Sequence, residues 1–371
     1  MSEIRALLPE DLEGVARLFV RTFRKNTATV SPALVDYLRL HYLDAPGADP
    51  DIRPLVHLRD DGTVSGFIGV TPLPMTFAGR PLRAAVCGAL MVEGHETDPL
   101  AGARLLKAFL SGPQDLSLSE TANDTSVAMW TRLRGIALPA YSMDWVRVVR
   151  PSGFLLGLLA SRLRWLRLAR PLAAVLDRLY RRRLSHDRLH WSATPAHPSE
   201  RLRTTVAAID RAAFAEHFRA LTAHVALRPD FGDAQLDHVL TEAEAQTHRG
   251  AARFVAVAAP GGRVIGAALY HLTPGAAAHV LQIVAAPNQA GLVVDALIDH
   301  LSEAGAIAAT GRTQPFLLDA MLARRIAFYP FVTTVVHSRH DDVVAAFRAG
   351  DAMFNGLAGE QWSRLVGADF D

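Results

Sequence analysis

Apolar residues in this chain recur with two rhythms, one of period two and one near 3.6, and the order in which these alternate predicts the fold. From Ile4, the run IRALLPEDLEGVARLFVRTF keeps its apolar residues on one helical face and predicts an amphipathic helix over roughly 9–24. The run RPLVHLRDDGTVSGFIGVTPL, from Arg53, is two extended segments about a glycine turn, a β-hairpin. A strand ALMV follows, then a helix over 99–110, a strand LSLSET, a helix over 125–134 and a strand MDWVRVV. The same order returns downstream: a helix over 206–221, a hairpin RFVAVAAPGGRVIGAALYHL from Arg253, a strand VLQIVA, a helix over 289–304, a strand AIAAT, a helix over 315–326 and a strand VTTVVHS. Arg53 and Arg253, Gly62 and Gly262, Val64 and Val264, and Gly66 and Gly266 pair at a constant offset of 200. Such self-similarity predicts a duplicated unit. Each half is expected to be α/β with a mixed sheet, because a hairpin supplies antiparallel neighbours and strand–helix–strand connections supply parallel ones. The tail DDVVAAFRAGDAMFNGLAGEQW reads as a short helix and a closing segment outside the repeat.

Length agrees with this division. The 371 residues suit two domains, and 50% hydrophobic with 20% charged residues excludes wholesale disorder. The expected boundaries are 1–150 for the first domain, 151–200 for a connector and 201–371 for a second, degenerate copy with the closing tail. The acidic, amphipathic start is unlike a signal peptide, and Phe154 to Ala160 is too short to span a bilayer, so a cytoplasmic protein without a membrane span is expected. The single cysteine, Cys87, excludes an internal disulfide and a cysteine metal cluster, and His41, His57 and the histidines near 186–190 lack ligand spacing. No metal is expected.

The net charge of +2 says little, but its distribution is uneven. Residues 153–184 hold leucines at helical spacing (Leu155, Leu159, Leu163, Leu166) interleaved with Arg162, Arg164, Arg167 and Arg170, and Pro171 divides the run. The leucines are expected to pack on the domains, with the arginines solvated or paired to acids. The competing reading puts the arginines against nucleic acid, an anionic lipid surface or a phosphorylated ligand.

The helix, hairpin and strand–loop–helix order of residues 1–150 resembles the GCN5-related N-acetyltransferase (GNAT) family, and a weaker copy covers about 200–340. In that family the loop after the fourth strand carries Arg/Gln-x-x-Gly-x-Gly/Ala and binds the pyrophosphate of acetyl-CoA at a helix N-terminus, where unpaired N–H groups and the helix dipole favour an anion. The resemblance places Gly102 on the last position of that motif, with Leu100 where the first glycine belongs and Thr97 where Arg or Gln belongs. Leu100, Ala101, Gly102, Ala103 and Arg104 become the expected pyrophosphate loop. Asp98 and Pro99 also form a good capping sequence that needs no ligand. The resemblance further implies pantetheine contacts along Met91 and Val92, an asparagine at Asn123, and Trp130 where the family commonly has an acidic tyrosine. Tyr141 is a substitute acid or a core residue.

Acylation of an ammonium group requires a base. Glu93 directly follows the strand that would hold the thioester and is the first choice; His95 and Glu120 are alternatives, and a solvated polar loop is the competing account. The second half has Gly291 in the matching loop with no basic residue ahead of it, and reads as a scaffold. The expected function is acyl-CoA-dependent N-acyltransfer, from acetyl-CoA or another acyl-CoA, to a small-molecule amine, amino acid or amino sugar. Two alternatives stand: an aminoacyl-tRNA-dependent transferase of the Fem type, with tRNA as partner, or a non-catalytic degenerate GNAT binding module. A homodimer is left open.

Overall fold

The computed structural model describes residues 2–24, 29–94, 96, 98–160, 172, 173, 175–177, 179, 204–324, 326–365, 367 and 370. The first half runs β1 (Glu3–Ala6), α1 (Leu12–Phe19), α2 (Pro32–Tyr42), β2 (Leu55–Leu58), β3 (Val64–Phe77), β4 (Arg80–Val92), α3 (Ala101–Leu110), β5 (Leu116–Ala122), α4 (Asp124–Arg132), β6 (Ile136–Ala137), β7 (Met143–Val148) and α5 (Pro151–Ala160). The second half runs β8 (Thr205–Ala208), α6 (Arg211–Thr222), β9 (Leu227–Pro229), α7 (Asp233–Glu244), β10 (Ala251–Ala258), β11 (Val264–Leu272), β12 (Ala277–Ala285), α8 (Ala290–Glu303), β13 (Ala308–Arg312), α9 (Pro315–Leu322), β14 (Ala327–Pro330), β15 (Thr333–Ser338) and α10 (Asp341–Ala349). The expected hairpins, helices and strands are all there. Among the described residues seven elements are additional: the edge strands β1 and β8, the short strands β6, β9 and β14, and the helices α2 and α7.

The repeated glycines have physical reasons. Gly62 and Gly262 adopt φ of 80° and 83°, and each closes a tight turn by donating its N–H to Arg59 and Ala259. A Cβ on Gly66 would stand 2.9 Å from Leu105 of α3, and one on Gly266 would press into Val293 of α8. The missing side chain lets the next helix lie directly on the hairpin in both halves.

One sheet has the order β1-β2-β3-β4-β5-β15-β6, with β9 added beside β3, and the other has β14-β7-β13-β12-β11-β10-β8. The two orders correspond strand for strand, except that each sheet contains the last long strand of the other half. β15 lies antiparallel to β5, with Val336 opposite Leu118, and β7 lies antiparallel to β13, with Val146 opposite Thr310. The halves have thus exchanged strands. Sequence could not reveal this, because MDWVRVV and VTTVVHS are both half-buried strands and either would satisfy either slot. Exchange also explains why the largest apolar cluster is common to both halves, running from Leu73 and Leu82 through Phe214 and Phe218 to Phe347 and Trp362.

Residues 1–150 produced alone would leave β5 without its β15 neighbour and β7 without its own sheet. They are expected to show no cooperative thermal transition by circular dichroism, and to recover one when co-produced with 151–371. A cooperative transition in the isolated segment would mean that β7 can return to the first sheet.

Candidate active site

β4 and β5 run parallel through Val86 and Leu118 and then part. The break is prepared on the other side of β4: its register with β3 shifts between Phe67 and Gly69, and Ala89 takes φ of 50°. A bulge of this kind re-aims a strand and ends its pairing. The result is a fork between β4 and β5. The second half has its own fork, where β12 and β13 part beyond Val280 and Gly311.

The tail after α10 threads through both forks. Asn355 donates from Nδ2 to the carbonyls of Tyr141 (2.9 Å) and Thr313 (2.8 Å), and the Leu357 N–H reaches Gln282 Oε1 of β12. Three residues on, the Glu360 N–H donates to Glu120 Oε2 at 2.8 Å and Gln361 Nε2 to Glu120 Oε1 at 2.9 Å. Gly359 is needed here, because a Cβ would collide with the Glu120 carboxylate. The strap is anchored by Arg364, which forms a two-point ion pair with Glu242 of α7 (3.0 Å each) and lies over the Tyr37 ring.

This path sets the Glu360 carboxylate into the first fork. It accepts a hydrogen bond from Thr121 Oγ1 of β5 and rests on β4 at Gly88, where a Cβ would displace it. Gly88 pairs with Gly69 of β3, and the space above Gly69 is taken by the Tyr42 hydroxyl. Opposed residues of an antiparallel pair point to the same face. The two glycines therefore clear one patch of strand on which a carboxylate and a phenol lie side by side. Burial pushes the Glu360 pKa up to about 7, opposed by the Thr121 hydrogen bond and reinforced by the Glu120 charge. Burial also drives the Tyr42 hydroxyl well above its ordinary value, with Glu360 adding to the shift, so it keeps its proton. Tyr42 also lines a cavity of about 400 Å³ that includes His41, Ile52, Val70, Thr71 and Gln235.

At the end of β4 the chain turns into α3. The N-cap is Leu100, with no side-chain cap bond, rather than Asp98 as expected. Asp98 instead pairs with Arg104, and Arg104 also donates to His57 Nε2 at 3.0 Å. Among the described residues the N–H groups of Gly102 and Ala103 have no acceptor, and a Cβ on Gly102 would meet nothing closer than Val92 at 3.6 Å. The start of α3 therefore fits an anion: two free N–H groups, the positive end of a helix and an adjacent guanidinium. The matching end of α8 does not fit. Arg324 sits over Gly291, held by Asp295 at 2.8 and 2.9 Å, and fills the corresponding space.

The other expected residues are distributed as follows. Met91 is buried and Val92 half-buried on the diverging stretch of β4, and Leu100, Ala101 and Ala103 begin the α3 region. Glu93 is half-buried and faces Arg21 at 3.3 Å. His95 and Thr97 lie outside the described residues. Asn123 caps α4 by accepting from the Ser126 N–H at 2.9 Å. Trp130 is fully buried against Phe109, so its role is in the core and no ligand contact is open to it. Tyr141 is likewise fully buried and donates to the Ala352 carbonyl at 2.7 Å; it holds the tail and is removed from acid chemistry. Glu120 has no exposed surface and is used up by the strap.

Glu360, Tyr42, Gly69 and Gly88 were not singled out from sequence. The signal available was two isolated glycines inside strand patterns, which mark a close approach. Among the described residues, no group of three or more His, Cys, Asp or Glu could hold a metal ion, and no helix is long and apolar enough to cross a membrane.

No protein-family model and no curated protein sequence matches this chain. Solved structures do. A GCN5-related N-acetyltransferase from Anabaena variabilis ATCC 29413 superposes with a TM-score of 0.58 at 9% identity, over 92% of this chain and 74% of that one. A GCN5-related N-acetyltransferase from Kribbella flavida gives 0.54 at 11%, over 91% and 71%. A conserved protein of unknown function from Enterococcus faecalis V583 gives 0.56 at 11%, over 91% and 73%. The chain therefore has the fold of the GCN5-related N-acetyltransferases, in two mixed α/β units that share their last strands.

Proposed function

We propose that this chain is an acyl-CoA-dependent N-acyltransferase whose first half is the active one, with a small amine as acceptor. The observation that carries this reading is the Glu360 carboxylate and the Tyr42 hydroxyl set side by side at the fork of β4 and β5, next to a helix start with free N–H groups. Acyl-CoA would supply an activated thioester. Gly102, Ala103 and Arg104 would hold its pyrophosphate, and the freed edge of β4 from Cys87 to Val92 would line the pantetheine arm. Glu360 in its carboxylate form takes one proton from the substrate ammonium, which frees the nitrogen lone pair to attack the thioester carbonyl, and the second nitrogen proton, lost as the tetrahedral intermediate collapses, replaces the one that the Tyr42 phenol gives up. Tyr42 is placed to return a proton to the sulfur as the C–S bond breaks. Glu93, paired to Arg21, would help close the loop over the ligand. The connector arginines on which a tRNA-dependent reading rests lie outside the described residues.

Calorimetry with acetyl-CoA and with free CoA tests the cofactor assignment. Gly102→Leu is expected to weaken binding at least about tenfold, because a bulky side chain blocks the backbone approach. Arg324→Ala, at the filled site of the second half, is expected to leave affinity within about twofold. Unchanged affinity in Gly102→Leu would remove the α3 site, and a loss in Arg324→Ala would move binding to the second half.

A further inference from the structure

Of the four connector leucines expected to pack on the domains, Leu155 and Leu159 do not, and Leu163 and Leu166 lie outside the described residues. On α5, Gly153 and Gly157 face Ile307, while Leu155 and Leu159 are 57% and 55% exposed. Across from α5, Asp177 accepts from the Ser152 and Gly153 N–H groups at 2.8 and 2.9 Å, which fixes a second helical stretch against the start of α5. That stretch turns Ala173 and Asp177 inward and leaves Leu172, Val175, Leu176 and Leu179 between 52% and 70% exposed. Six large aliphatic side chains thus face solvent on adjoining helical segments. Single exposed leucines are ordinary, but a concentration of this kind marks an interaction surface.

Charge decides what that surface meets. Residues 151–184 contain eight arginines and one acidic residue, Asp177, which is buried in its capping role. The eight arginines lie outside the described residues, but their place in the sequence means that a second copy docking here would bring two arginine-rich segments together. RNA would satisfy the arginines and leave the leucines in water. A surface that accepts both aliphatic side chains and guanidinium groups is the headgroup boundary of an anionic bilayer, where apolar side chains enter the acyl region and arginines lie among the phosphates.

We propose that the α5 face, Leu155 and Leu159 with Leu172, Val175, Leu176 and Leu179, docks this protein reversibly on an anionic membrane surface. The docking is peripheral, and it is independent of the acyl-transfer reading.

Flotation of the full chain with vesicles is the test. With phosphatidylcholine containing about a third phosphatidylglycerol, the protein is expected to float, and to be released as salt rises from 0.1 to 1 M, as screening shortens to about 3 Å. With phosphatidylcholine alone it is expected to stay down. The double variant Leu172→Asp, Leu176→Asp is expected to lose at least about fivefold in flotation with its thermal midpoint unchanged, since both side chains are exposed. Arg162→Gln with Arg164→Gln serves as a second variant that leaves the leucines alone, and is expected to weaken flotation on anionic vesicles. Failure to float on anionic vesicles, or equal flotation of the aspartate variant, overturns the proposal. So would a dimer in sedimentation velocity, or a complex with bulk tRNA, that the aspartate variant abolishes.

Discussion

Glu360→Gln is expected to lower turnover by about 10²-fold or more while leaving acetyl-CoA affinity within about twofold, because the amide keeps the shape and the Thr121 contact but has no basic oxygen. The pH dependence gives a second readout. Burial, with the charge of Glu120, holds the Glu360 pKa at about 7, so the base form appears as pH rises through that value. kcat/KM of the native protein should therefore climb through pH 7, and the residual activity of the variant should lack that inflection. His41 does not confuse the profile, since burial lowers its pKa to about 4. Stability should move the opposite way. A carboxylate whose folded pKa lies above its ordinary 4.5 binds its proton more tightly when folded, so the native protein loses stability between about pH 4.5 and 7. The loss is on the order of 3 kcal/mol, and Glu360→Gln should be the more stable protein at pH 8. If Glu93→Gln abolishes turnover and Glu360→Gln does not, the base is Glu93.

Arg312→Met is expected to destabilise the whole chain by about 3–5 kcal/mol, the usual consequence of removing one partner from a buried ionic group. Its guanidinium is 2% exposed and joins both halves. It donates to the carbonyls of Glu120 (2.8 Å) and Val332 (3.0 Å) and to Thr334 Oγ1 (3.1 Å), and it faces Asp144 at 3.3 Å. Glu120 then loses the nearby cation that opposes the upward drive of burial on its pKa. The apolar substitute fills the volume but leaves these acceptors unmatched. Urea unfolding should show a lower midpoint with an unchanged slope. The exposed pair Arg80–Asp342 also links the halves, yet Arg80→Met should cost under about 1 kcal/mol, since water replaces its partner. Equal losses in the two variants would mean that Arg312 is not the junction described.

Where the sequence spoke through turn chemistry and apolar spacing the structure agrees, while the capping sequence at Asp98 is not used as a cap. Gly62 and Gly262 marked the hairpin turns because the left-handed conformation there is a property of one residue and its neighbours. The helices at 101–110 and 290–303 followed from apolar spacing that any buried face imposes. The fork was half legible: the strand, loop and helix after β4 were readable, and so was the weakness of the second copy at Gly291. What filled that second site was not, since Arg324 reaches it from 33 residues away in the chain.

The chemistry was the least legible. Glu93 and His95 were favoured because they directly follow the strand, and nearness in sequence was the only measure at hand. The carboxylate at the fork comes from position 360, in a segment outside the repeat, and it arrives there through contacts with Glu120 of β5, Gln282 of β12, Thr313 just after β13 and Glu242 of α7. Tyr141 and Trp130 show the converse: each has the right chemical type or position along the chain, and each is spent on packing.

Sequence by itself determined the duplication, the order of helices and strands and the two glycine turns of the hairpins, because period and turn chemistry act over a few residues. Only the tertiary structure decided which sheet takes β7 and which takes β15, and which carboxylate stands at the fork. Two strands with the same alternation are interchangeable in pattern, and a residue brought in by a long tail is placed by burial and hydrogen bonds made hundreds of residues away.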